Sequence, residues 1–181
     1  MTSFRSLLAG LGALAVASSP ALAAPEPACL RPPEQTALEL RALQSRLMVG
    51  AVACRQEDAY NAFVRRFQRE LGSAYNQAEG HFRRIHGGQG RTRFNQFDTQ
   101  LANAQSEENN RHGAFFCRDT QVFFREAMAL DSAQLAKFGV ERNIVLPYEA
   151  PTCSEAETTR PARSRPARAA RTTSAASARH R

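Results

Sequence analysis

A long apolar stripe with helical spacing restricts the fold of this chain more than any other feature. Apolar residues recur every three or four positions between Tyr60 and Ile85, while arginine and glutamate lie between them. This spacing predicts one amphipathic helix of about seven turns. Glycines at 87, 88 and 90 indicate its end, since glycine accepts the left-handed conformation common there. The stripe consists of Tyr60, Phe63, Phe67, Leu71, Ala74, Ala78, Phe82 and Ile85.

Similar stripes predict the other helices. A first helix is expected at 33–55, after two prolines that suit a helix start. A third follows Thr92 as its cap, and a polar break at 107–111 separates it from a fourth. Asp131 and Ser132 are expected to cap a short fifth helix that ends near Phe138. The stripes are Leu40, Leu43, Leu47, Ala51 and Cys54; Phe94, Phe97, Leu101 and Ala104; and Phe116, Thr120, Phe123, Ala127 and Leu130.

These elements predict an all-α fold. No convincing strand pattern is present, and short loops between helices favour antiparallel neighbours. We therefore expect an up-down-up-down four-helix bundle with a short fifth helix, linked by disulfides and followed by a disordered tail.

The first 23 residues have the layout of a secretory signal. Arg5 precedes an apolar run at 7–17, and small residues at 21 and 23 predict cleavage after Ala23. The run is too short for a bilayer, which requires about 20 residues. Three regions follow: a signal peptide at 1–23, a helical domain at 24–153 and a basic tail at 154–181. We expect a periplasmic or secreted product with no transmembrane span after cleavage.

The four cysteines all lie after the predicted cleavage site. An even number in an exported chain predicts two disulfides, and the absence of close pairs argues against zinc. In the predicted bundle, Cys54 ends helix 1 beside the start of helix 4, so it faces Cys117. Cys29 then meets Cys153. This pairing rests on topology, and two other pairings are compatible with four cysteines.

The positive charge of the chain is concentrated in its tail. Residues 154–181 contain seven arginines and two glutamates, a net charge of +5, whereas 24–153 contain 16 basic and 15 acidic residues, a net charge of +1. The tail has no aromatic residue, Leu, Ile, Val or Met, so it is expected to stay disordered. We expect it to bind an envelope polyanion or an acidic protein, and no intracellular nucleic acid, through Arg160, Arg163, Arg165, Arg168 and Arg171. The alternative is a solubilising tail without a fixed partner.

One part of the chain resembles a known group of proteins. The segments 40–49 and 60–64, with Leu101-Ala102-Asn103, Cys54 and Cys117, are similar to small exported alphaproteobacterial proteins of unassigned function. The resemblance covers about 38–130. It implies a periplasmic location and supplies no catalytic residues; neither Cys153 nor the arginine tail belongs to its pattern.

No residue pattern predicts catalysis, a cofactor or a metal site. His81 and His86 are five residues apart, so on a helix they diverge by about 140° and do not form a ligand pair; we expect surface or boundary histidines. The glycines before Arg91 and Arg93 lack the lysine of a phosphate loop, although these arginines suit weak anion binding. The chain is therefore expected to be non-enzymatic.

Two functions fit these features. The first is an exported helical module that acts through protein or cell-envelope contacts, with the tail adding electrostatic attachment. The alternative is a periplasmic carrier that holds a small apolar ligand in the phenylalanine-lined interior of the bundle. Doubled phenylalanines at 115–116 and 123–124 point in diverging directions and are expected mostly in the core.

Overall fold

A computed structural model describes residues 28–154, which are mostly helical. Between 28 and 154 no strand is present, only an isolated parallel bridge between Leu30 and Thr152. The predicted all-α class is confirmed. The helices are α1 (Pro32–Cys54), α2 (Glu57–Arg66), α3 (Gln68–His86), α4 (Gly90–His112), α5 (Phe116–Ala129) and α6 (Leu135–Glu141), with 3₁₀ turns at Gly87–Gln89, Gly113–Phe115 and Ser132–Gln134.

Helix α1 is the axis of the domain. It packs against all five other helices, and its side chains Leu38, Leu43 and Leu47 are completely buried. This differs from the predicted up-down-up-down bundle. In that arrangement each helix lies at a corner beside two neighbours, whereas α1 packs against every other helix described. Small and apolar residues lie on several sides of α1, and Ala42, Leu43 and Leu47 are buried, although Met48 and Val52 near its end are exposed.

The predicted second helix is two helices. Phe67 leaves the helical conformation (φ −110°, ψ 26°) and separates α2 from α3. Its amide still donates to the Phe63 carbonyl at 3.0 Å, and its carbonyl accepts from Leu71 at 2.9 Å, so the bend loses few backbone hydrogen bonds. The bend lets α2 pack against α5 while α3 packs against α4.

The predicted third helix is longer at both ends. It begins at Gly90, so Thr92 lies inside α4 and does not cap it. The expected polar break at 107–111 is also helical. Glu108 pairs with Arg111 and approaches His112 at 3.4 Å on the same helix, and such pairs stabilise an exposed helical turn. Polarity there reflects exposure to solvent and not a loop.

The two disulfides join Cys29 to Cys153 and Cys54 to Cys117, the pairs that the topological argument predicts. They lie at opposite ends of α1, because Cys54 is its last residue and Cys29 precedes its first. No helix within 28–154 is both long and apolar enough to cross a membrane. The predicted signal segment, and the tail after Ser154, lie outside the described residues.

Candidate functional site

The described part of the chain contains one buried cluster of titratable side chains, near the start of α1. Glu34 in the first turn of α1 faces His81 and Arg84 in the last turns of α3. Arg84 binds the carboxylate with two nitrogens, Nε to Oε1 at 3.0 Å and Nη2 to Oε2 at 2.5 Å. This two-point geometry is the strongest that arginine forms with a carboxylate. The cluster therefore fixes the start of α1 against the end of α3.

His81 sits at the centre of this cluster and is completely buried. Its Nδ1 lies 3.0 Å from Glu34 Oε2, and its Nε2 lies 2.7 Å from the Tyr148 hydroxyl. Arg84 Nη2 also lies 3.1 Å from Nδ1. Since a carboxylate only accepts, the contact with Glu34 favours a neutral ring that donates from Nδ1 and accepts from the Tyr148 hydroxyl at Nε2. Because both nitrogens have partners and the ring has no solvent access, the arrangement favours a structural role over proton transfer to a substrate.

The pKa values of His81, Glu34 and Tyr148 in this cluster are shifted by burial and by hydrogen bonds. Burial lowers the pKa of His81 below its ordinary value of 6.5, although the hydrogen bond and charge of Glu34 oppose this. Burial alone raises the pKa of Glu34, but hydrogen bonds from Arg84 and the Arg31 amide reverse the effect and bring it below 4.5. The pKa of Tyr148 is raised by burial. At neutral pH the cluster therefore contains carboxylate, neutral imidazole and neutral phenol.

The cluster is continuous with the buried disulfide. Arg84 Nη2 donates to the Cys29 carbonyl at 2.7 Å. Leu30 donates to the Pro151 carbonyl and accepts from the Cys153 amide, both at 2.8 Å. The segment that carries Tyr148 is thus held to the start of α1 by a covalent bond and a backbone bridge. This junction sets where Tyr148 meets His81.

The expectation of surface or boundary histidines is wrong for His81. Its signal was present in the sequence, because it lies three residues after Ala78 and beside Phe82, within the apolar stripe. Glu34 was missed for another reason: an acidic residue near a helix start is usually explained by the helix dipole. Tyr148 lies outside any helical pattern.

A second buried cation lies towards the other end of α1. Arg46 is almost fully buried, donates to Thr120 Oγ1 at 3.2 Å, and stacks over the Phe116 ring at 4.0 Å. Within 28–154 no carboxylate lies within ion-pair distance of it. Burial lowers its pKa, while the more distant charges of Glu108 and Asp119 oppose that change. Arg46 still remains protonated at neutral pH.

The phenylalanines form the core, as expected, but the doubled pairs divide. Phe116 and Phe124 are buried, whereas Phe115 is 59% exposed and Phe123 is half-buried. Phe82 lies within 5.9 Å, between ring centroids, of Phe94, Phe97 and Tyr148. A depression of about 670 Å³ between α1 and α3 has no phenylalanine in its lining. The carrier hypothesis stays a prediction.

The remaining candidates from the sequence are dispersed. Arg91 pairs with Glu79 at 2.9 Å, and Arg93 binds Gln96 on its own helix at 3.2 Å. Across residues 28–154, no three His, Cys, Asp or Glu side chains are grouped as a metal ion requires. The tail arginines Arg160, Arg163, Arg165, Arg168 and Arg171 lie outside the described residues.

Comparison with known proteins found no matching family model, no matching curated protein and no matching solved structure. The resemblance to exported alphaproteobacterial proteins therefore stays a prediction.

Proposed function

We propose that this protein is an exported, non-enzymatic helical module that attaches to the cell envelope through its basic tail. The observation that carries the proposal is the separation of charge: +5 in residues 154–181 against +1 in 24–153. A nearly neutral domain has little attraction for a polyanion, whereas spaced arginines bind phosphate and carboxylate groups strongly at low salt.

The junction at Cys153 supports this proposal. The disulfide to Cys29 and the Leu30–Thr152 bridge fix the point where the tail begins. A tail that starts from a fixed point can bind a surface without unravelling the domain. Two disulfides also suit an oxidising compartment outside the cytoplasm.

The tail proposal is tested with the mature protein and vesicles that contain phosphatidylglycerol. We expect sedimentation with these vesicles at low salt and release at about 0.5 M salt, where the Debye length is only a few ångströms. Replacement of the five arginines between 160 and 171 by glutamine should weaken binding at least tenfold. Replacement by lysine keeps the charge and should preserve most of it.

Each outcome has a defined meaning. Equal binding by the glutamine variant, or by a chain that ends at Ser154, would show that the tail does not attach the protein. Binding to beads that carry polyglutamate, but not to vesicles, would identify an acidic protein as the partner. Vesicles of phosphatidylcholine are the neutral control. Export is tested by the intact mass of protein from the periplasm, which should correspond to residues 24–181 with both disulfides formed.

A further inference from the structure

The two disulfides differ in their access to solvent. Cys29 and Cys153 are 5% and 9% exposed, whereas Cys117 is an exposed residue and Cys54 is half-buried. An external thiolate must reach a sulfur atom to attack a disulfide, so access is one of the factors that set the rate. The two bonds should therefore react with thiols at different rates.

The buried disulfide is protected by the structure around it. The Leu30–Thr152 bridge lies beside it, and Arg84 binds the carbonyl of Cys29. An attacking thiol must first separate these groups, which requires local unfolding. Opening of this kind costs free energy and lowers the rate in proportion to the open population.

One feature of the exposed disulfide favours release of a thiolate. Cys117 is the second residue of α5, where the amide groups of a helix start stabilise the thiolate that Cys117 becomes when it is released in the last step of an exchange. Arg55 and Arg118 adjoin the two cysteines in sequence and attract an anionic thiolate. The acidic residues Glu57, Asp58 and Asp119 are also close in sequence and oppose this attraction.

We propose that the Cys54–Cys117 disulfide is a thiol–disulfide exchange site for an external dithiol. One thiolate of the dithiol attacks Sγ of Cys117, which belongs to the more exposed residue of the pair, and forms a mixed disulfide with it. The Sγ–Sγ bond breaks, and Cys54 leaves as a thiolate that takes a proton from water. The second thiolate of the dithiol then attacks its own partner sulfur and releases Cys117. Two electrons pass to the protein, and the dithiol becomes a disulfide.

The domain has contacts that can hold this end together after reduction. Arg46 on α1 still binds Thr120 on α5, and its guanidinium still covers Phe116. Reduction should therefore free the two cysteines without unfolding the helices. The Cys54–Cys117 disulfide can then open and close reversibly, whereas the Cys29–Cys153 disulfide stays closed.

The test is selective reduction of the folded, oxidised protein. Samples are treated with dithiothreitol or with a Cys-x-x-Cys protein of the thioredoxin type, alkylated at intervals and mapped by mass spectrometry. We expect Cys54 and Cys117 to be labelled at least about tenfold faster than Cys29 and Cys153, because reduction of the buried pair requires local opening. Reaction with either reductant supports the proposal and identifies the source of thiol. Equal rates, earlier reaction of the buried pair, or reduction only at the rate of global unfolding would overturn it.

A second measurement identifies the attacked sulfur. The oxidised protein is incubated with reduced glutathione and quenched in acid, and the cysteine that carries the glutathione adduct is mapped by mass spectrometry. Early adducts on Cys117 agree with the proposed attack. Early adducts on Cys54 show that Cys54 is the attacked sulfur and contradict the proposed mechanism.

Discussion

Two arginines with largely buried side chains, Arg84 and Arg46, lie towards the two ends of α1, and the domain accommodates them differently. Arg84 lies against the carboxylate of Glu34 and a backbone carbonyl. Arg46 lies between aromatic rings and has one hydroxyl partner, Thr120. The first solution neutralises the charge, while the second relies on packing of the side chain and on cation–π attraction. Arg84 is therefore held by charge and directed hydrogen bonds, whereas Arg46 is held mainly by the burial and stacking of its side chain.

The largest expected change in the free energy of unfolding comes from removal of the Glu34 carboxylate, near the start of α1. Replacement Glu34→Ala leaves Arg84 and His81 buried without their common partner. Removing one member of a buried ion pair typically costs about 3–5 kcal/mol. Urea unfolding with both disulfides intact measures the change.

The matched control is Glu79→Ala, since the partner of Glu79, Arg91, is largely exposed. Its expected cost is below about 1 kcal/mol. Similar losses for both variants would mean that the buried cluster contributes no more than a surface pair.

An intermediate change in the free energy of unfolding is expected around Arg46, towards the Cys54 end of α1. Replacement Arg46→Met preserves most of the buried chain but leaves the Thr120 hydroxyl without its donor, at a cost of about 1–2 kcal/mol. The double variant Arg46→Met with Thr120→Val removes both polar groups and should recover most of this loss. If the double variant does not regain the lost stability, the positive charge of Arg46 itself stabilises this end.

The smallest expected effect is a pH dependence that belongs to the first end. His81 has a lower pKa in the folded state than the unfolded value near 6.5, so the unfolded chain binds more protons below that pH. Stability should therefore fall as the pH decreases from about 6.5 towards the folded pKa, by at most about 1.4 kcal/mol per pH unit for one proton. Glu34 adds a further loss below about 4.5, because its folded pKa is also lowered.

Urea midpoints between pH 7.5 and 5 measure this slope. His81→Gln should reduce the slope. An unchanged slope in the His81 variant would assign the pH dependence to other groups.

The helices could be predicted where the signal was local, and the remaining features depend on distant contacts. The spacing of Phe116 to Leu130 predicts α5 closely. The bend at Phe67 is invisible in the stripe, because Phe63, Phe67 and Leu71 keep helical spacing across it. The packing partner changes at this bend, because α2 packs against α5 and α3 packs against α4. The predicted break at 107–111 was wrong for a different reason. Exposed helices and loops share a polar composition, so polarity alone does not distinguish them.

The buried cluster shows the same limit. His81 was recoverable from the apolar stripe, but its partner Tyr148 is 67 residues away in the chain. The position of Tyr148 is set by the junction near Cys153, and not by a helix or strand preference of the residues around it. The tail arginines, by contrast, were identified from composition alone, and their role stays a proposal.

The covalent bond between Cys29 and Cys153 also determines how the protein would bear mechanical load. If the tail is held at a surface while the chain before Cys29 is pulled, tension passes directly between the two sulfur atoms. The 123 residues enclosed between these cysteines, whose sequence separation is 124, then lie outside the line of force. The helices would remain folded under tension that unravels an uncrosslinked bundle.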